Sequence, residues 1–174
     1  VRAAKDDVEY WQICAEFVAA LQDGHSSYRA PAAFSVDAGL FADIYDGKVL
    51  VDSIDRSRYP LAQYPIALGD EIVSIDGKPV SDLMNLYGKN RGFGNPRGAR
   101  RLAADALVFR SQSTFPIIGD TPDESDFLFR KADGSELTLK LTWLKRGRPS
   151  KGVGPVPTPR FAAPARLTSA EEEV

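Results

Sequence analysis

Apolar residues recur at three- and four-residue spacing from Val8 through Trp11, Cys14 or Ala15 and Val18 to Leu21. This spacing predicts one amphipathic helix, Asp6–Gln22, with Asp6 or Asp7 as cap and Gly24 as stop. Tyr10, Ile13 and Phe17 widen its apolar face, so Trp11, Cys14 and Phe17 are expected in a core. The pattern then shortens to strand length. Leu40–Tyr45 and Lys48–Ile54 flank Asp46-Gly47, a favoured two-residue hairpin turn. Ile72, Val73 and Ile75 form a short apolar run between Gly69-Asp70 and a second such turn, Asp76-Gly77. Pro79 lacks a backbone donor, so the chain after that turn pairs only briefly or at an edge. Phe127–Ala132 and Glu136–Trp143 flank Asp133-Gly134, and the second alternates Leu or Trp with Thr or Lys, as a half-buried strand does. Two more helices are expected, one over Ser81–Tyr87 with Ser81 as cap, the other from Asn95 or Pro96 through Arg110, with Leu102, Ala106 and Phe109 on one face. Loops are expected over 88–98 and 111–125. From Arg148 to Arg166 five prolines and few apolar groups predict an extended linker, and Thr168–Val174 reads as a helix start cut short.

Composition narrows the class of protein. At 174 residues, 43% apolar and 26% charged, the chain supports one full domain with appendages. A net charge of −2 argues against nucleic acid as a partner, and the one basic cluster, Lys145-Arg146-Gly147-Arg148, is expected to be solvated linker. No apolar run approaches the roughly 20 residues that cross a bilayer, so no membrane span is expected. Cys14 is the single cysteine, which excludes an internal disulfide and a cysteine metal cluster, and no cofactor is expected. The glycines of Gly88–Gly98 lack the Lys-(Ser/Thr) of a phosphate-binding loop. The start at Val1, with neither Met nor leader, suggests a processed or truncated chain.

Two strings carry a family resemblance. Leu68-Gly69-Asp70-Glu71-Ile72-Val73-Ser74-Ile75-Asp76-Gly77-Lys78-Pro79-Val80 resembles the signature of a PDZ domain of the bacterial kind. Leu21-Gln22-Asp23-Gly24-His25-Ser26-Ser27-Tyr28, at the end of the first helix, is similar to the front end of the C-terminal processing, or tail-specific, serine peptidases. The likeness spans Asp6 to about Trp143. It implies an α+β fold in which an N-terminal helix precedes a PDZ-like small β-sheet, or partly open barrel, with helical insertions. The implied organisation is an N-terminal helical segment of a peptidase at 1–33, a PDZ-like domain at 34–144 with an insertion at about 88–125, and a Pro-rich linker and tail at 145–174. Which helix walls the peptide groove stays open.

The resemblance also implies the chemistry. Gly39-Leu40-Phe41-Ala42 stands where PDZ domains carry a carboxylate-binding Gly-Leu-Gly-Phe loop, so Gly39, Leu40, Phe41, Ala42, Asp43 and Ile44 are the expected peptide-binding residues. Phe41 replaces the second Gly of that loop and puts capture of a terminal carboxylate in doubt, because a nest of free N–H groups needs dihedrals that Gly adopts cheaply. His25, the single histidine, is the candidate general base of a His-Ser-Glu arrangement, the family's other branch being a Ser-Lys pair. A solitary histidine after a helix is more often structural. The nucleophilic Ser and its Glu or Lys partner would lie in a following domain, so this chain alone is expected to be inactive. The expected partners are an extended peptide or unfolded protein substrate and the missing peptidase domain. The resemblance also implies a location outside the cytoplasm. The alternative reading is a non-enzymatic PDZ-like peptide-binding or scaffolding module.

Overall fold

The computed structural model describes residues 4–118 and 120–152. The Pro-rich stretch beyond Gly152 and the expected helix start at Thr168–Val174 lie outside the described residues. Helix α1 spans Asp7–Ala20, with the Asp6 carboxylate accepting the Glu9 N–H at 2.8 Å. Nine strands follow in order with two further helices: β1 (Ser35–Asp37), β2 (Leu40–Tyr45), β3 (Lys48–Ile54), β4 (Glu71–Ile75), β5 (Lys78–Pro79), α2 (Val80–Gly88), α3 (Pro96–Val108), β6 (Phe109–Ser111), β7 (Glu124–Arg130), β8 (Glu136–Thr142) and β9 (Leu144–Arg146). The larger sheet is antiparallel, ordered β2-β3-β4-β7-β8, with β5 paired to β4. The smaller one is β6-β1-β9. Neither sheet closes on itself, so the partly open barrel of the sequence reading resolves into an open α+β arrangement.

The organising strand sits mid-sheet. Ile72 and Ile75 of β4 are buried and pair with Phe129 and Phe127 of β7, which are fully buried themselves. Phe127 lies 6.0 Å from the Phe129 ring and 5.9 Å from that of Trp143. The side chains of Phe34, Val36, Ile66, Leu107 and Leu141 complete one continuous core. Asp46 and Asp76 adopt positive φ beside Gly47 and Gly77, as the right-handed twist of the flanking strands requires.

Four features differ from the sequence reading. Phe17 and Leu21 are 67% and 56% exposed, and α1 instead buries Ala15 and Ala19. The wide apolar face of this helix therefore outruns what the described residues cover. Pro79 precedes α2, and Ser81 supplies no side-chain cap. The third helix stops at Val108, because Phe109–Ser111 leaves it to pair with β1, and Phe109 is exposed rather than core. Finally, Leu144–Arg146 pairs with β1 as β9, and Ser150 donates its N–H to Gln112 Oε1 at 2.8 Å and accepts from Nε2 at 2.8 Å. The start of the expected linker is thus stitched to the domain by backbone pairing that composition does not encode.

Candidate functional site

Strand β2 is the edge of the larger sheet, paired among the described residues to β3 alone. The two-residue turn makes Tyr45 and Lys48 a mutually bonded pair, so alternation turns the N–H and C=O of Ile44 and Ala42 away from β3. Helix α3 packs along that open side. Between them runs a groove of about 520 Å³, walled by Phe41, Ala42 and Asp43 on the strand and by Arg97, Gly98, Arg101, Leu102 and Asp105 on the helix. Phe93 and Asn95 also line it. The groove helix is therefore α3, which periodicity placed without assigning.

Each wall has a local cause. Asn95 caps α3 by accepting the Gly98 N–H at 2.8 Å, and Pro96 takes the first helical position, where its missing donor costs nothing. A Cβ at Gly98 would come within 2.1 Å of the Phe93 ring, so glycine is what lets that ring lie on the helix. Leu40 and Ala42 point into the core, whereas Phe41, 48% exposed, stands in the groove. Ile44 is half-buried and packs against the core.

The mouth of β2 does not present a free nest. Gly39 adopts φ +73°, and a Cβ there would meet Arg58 Nη1 at 2.7 Å and the Tyr59 ring at 2.9 Å. Its N–H already donates to Asp37 Oδ1 at 2.6 Å. An internal carboxylate thus holds a donor that a peptide terminus would seek. Arg58 fixes this corner by donating to the Thr142 carbonyl at 2.6 Å.

Further along, the strand edge is latched. Asp43 is buried, and its Oδ1 accepts both the outward Ile44 N–H at 2.7 Å and Arg101 Nε at 2.9 Å, while Arg101 Nη2 bonds Oδ2. Asp43 is legible as a groove residue from the β2 pattern, whereas Arg101 is not, because no local pattern connects residues so far apart. The Arg101 hydrogen bonds hold the Asp43 carboxyl below the usual carboxylate range, whereas burial raises that of Asp105, partly offset by Arg91. Asp43 therefore stabilises the fold above the ordinary carboxylate pKa and loses that contribution as pH falls through its own lower value. Asp43→Asn is expected to cost about 1 kcal/mol at neutral pH, a modest value because the Arg101 end is solvated. Melting curves of the two proteins should converge below about pH 4.

His25 lies apart, in the turn after α1. Its side chain is fully exposed; its backbone N–H donates to Asp23 Oδ1 at 3.1 Å, and Nδ1 lies 3.5 Å from the same oxygen. Ser26 Oγ donates to Asp23 Oδ2 at 2.6 Å, and this bond, followed by that from His25 N–H, lowers the Asp23 carboxyl. No group of three or more potential metal ligands occurs among the described residues, and none of the described helices is long and apolar enough to cross a membrane.

Comparison with known proteins agrees with this geometry. The fold is similar to that of mature CPAF, with a TM-score of 0.69 at 19% identity, covering 86% of this chain and 27% of that one. Mature CPAF complexed with lactacystin gives 0.68 at 19% identity over the same shares. A CPAF mutant gives 0.63 at 24% identity, covering 80% of this chain and 25% of that one. The chain thus spans about a quarter of the length of these structures, and the likeness is one of fold. No curated protein matches it. The PDZ domain family model matches residues 39–150, the stretch that holds β2, α3 and the groove between them, and the chain belongs to the PDZ domain family.

Proposed function

We propose that the chain recognises and positions extended peptides for a serine peptidase of the tail-specific family, whose catalytic serine lies on another domain. The observation that carries this reading is the open edge of β2 beside α3. Strand addition there supplies main-chain bonds from Ala42 and from the Ile44 carbonyl, the Ile44 N–H being held by Asp43, and the groove chooses side chains. Resemblance of the Asp23-Gly24-His25 segment to the front end of that family supports the link to a peptidase. The exposure of Phe17 and Leu21 on α1 supports it too, since an apolar helix face beside His25 suits a docking domain. In this reading His25 is the general base delivered to the serine, and Asp23 orients its ring. The missing domain, the cleavage and a location outside the cytoplasm all belong to the proposal.

The walls also select the peptide. Arg97 and Arg100, in no ion pair among the described residues, line this side of α3 beside the Asp43–Arg101 pair, so acidic peptides are favoured over basic ones. Because Asp37 holds the Gly39 N–H, internal segments bind as well as termini. Binding is expected at roughly 10–100 μM, about −5.5 to −7 kcal/mol. Titration of acidic, apolar peptides and their lysine counterparts, followed by backbone amide shifts, tests this. Shifts concentrated at Gly39–Tyr45 and α3 are the expected result, and shifts scattered elsewhere sink the groove assignment. The second reading, a peptide-binding or scaffolding module without catalysis, is favoured by a groove complete within 39–108. The coding sequence beyond Val174 separates the two, by holding a serine-containing peptidase domain or a stop.

A further inference from the structure

Arg110 stands apart from the other buried charges. The buried acids Asp43 and Asp70 each face a cation, Arg101 and Lys131. Arg110, only 6% exposed, has no carboxylate within ion-pair distance among the described residues. Its Nη1 donates to the Ala106 and Leu107 carbonyls at 2.9 and 3.3 Å, at the C-terminal end of α3. Tyr87 and Trp143 lie against the guanidinium, with ring centroids 4.8 and 4.6 Å away. The aromatic rings and one nitrogen are thereby accounted for. Nε and Nη2 have no hydrogen-bond partner among the described residues, and the group lines a cavity of about 310 Å³ distinct from the β2–α3 groove.

We propose that this cavity binds a carboxylate carried on a short apolar group. The free edge of the guanidinium matches a carboxylate in a two-bond fork. Leu83, Leu86, Ile117 and Ile118 supply the apolar lining beside it. Two acids in the same lining set the charge that is tolerated. Asp76 is committed to Ser125 Oγ at 2.8 Å and the Asp126 N–H at 2.9 Å, and Asp120 is exposed, with Lys78 also in the lining. Arg110 and Lys78 are in no ion pair among the described residues, and Asp76 and Asp120 offset their charge, so the cavity tolerates a monoanion better than a dianion such as phosphate. Burial works against the charge of Arg110, and a bound anion would relieve that penalty. The proposal stands independently of the peptide groove.

The test is NMR titration of the full chain with N-acetyl-leucine against N-acetyl-leucinamide, and with a short apolar peptide against its C-terminal amide. The Trp143 indole N–H and Arg110 Nε–H report the cavity, and the Phe41–Ile44 amides report the groove. The acid forms should shift the cavity signals at millimolar concentration, and the amides should not. Binding by N-acetyl-leucine alone assigns the site to small free acids, and binding by both acids extends it to chain ends. Arg110→Gln should abolish the shifts. Because that variant can lose stability, Ile117→Glu is the second: Ile117 is 66% exposed, so the fold is kept while a carboxylate at the rim weakens binding about tenfold. Equal shifts from acid and amide, inorganic phosphate binding as tightly as N-acetyl-leucine, unchanged binding in Ile117→Glu, or shifts confined to Phe41–Ile44 would each overturn the assignment.

Discussion

Phe127→Ala is expected to cost about 3–5 kcal/mol of stability. Phe127 is fully buried on β7, opposite Ile75 of β4 and Leu139 of β8, and its ring meets Phe129 and Trp143. Truncation removes the ring's burial and opens a void that three strands cannot collapse into without breaking their registers. Against a total of roughly 5–15 kcal/mol, that loss leaves the domain marginal. Urea titration of the variant measures it. A midpoint equal to that of the wild type would mean that the β4-β7-β8 seam is not the centre of the core.

His25→Ala is expected to lower peptide cleavage by the complete protein about 10²–10⁴-fold, the contribution of a positioned general base. The ring is fully exposed beside Asp23, on the turn after α1, and α1 itself is tied to the chain after α2 through the Gln12 and Asn90 side chains, bonded at 3.0 and 3.1 Å. Asp23→Asn should reproduce part of the loss by removing the carboxylate that orients the ring. Peptide binding to the groove should be unchanged in both variants, which separates catalysis from recognition. Wild-type turnover in His25→Ala removes the histidine from the mechanism and leaves the Ser-Lys branch. The 174-residue chain itself should cleave nothing.

Several features were legible because they are local. The Asp46-Gly47 and Asp76-Gly77 turns rest on residues that tolerate positive φ, and the hairpins on alternation over a few positions. The Asp6 and Asn95 caps rest on side chains that reach their own helix. Ile72 and Ile75 were legible as core because a short apolar run bounded by turns has few other places to go.

What stayed hidden was set by partners far apart in the chain. An apolar stripe on α1 looks the same whether a core covers it or, as for Phe17 and Leu21, nothing among the described residues does. Phe109 continues a helical period, yet β1 offers it a ladder, and the backbone bonds so gained end α3. Leu144–Arg146 has the composition of a linker but becomes β9 against the same strand. The groove shows this division most clearly. The sequence by itself determined β2 as a strand and Asp43 as one of its residues. Only tertiary structure decided that α3 would be the opposite wall, that Arg101 would latch Asp43, and that Arg110 would be buried without a countercharge among the described residues. The physical reason is that hydrogen bonds within a turn depend on neighbours in sequence, whereas burial and ion pairing depend on neighbours in space.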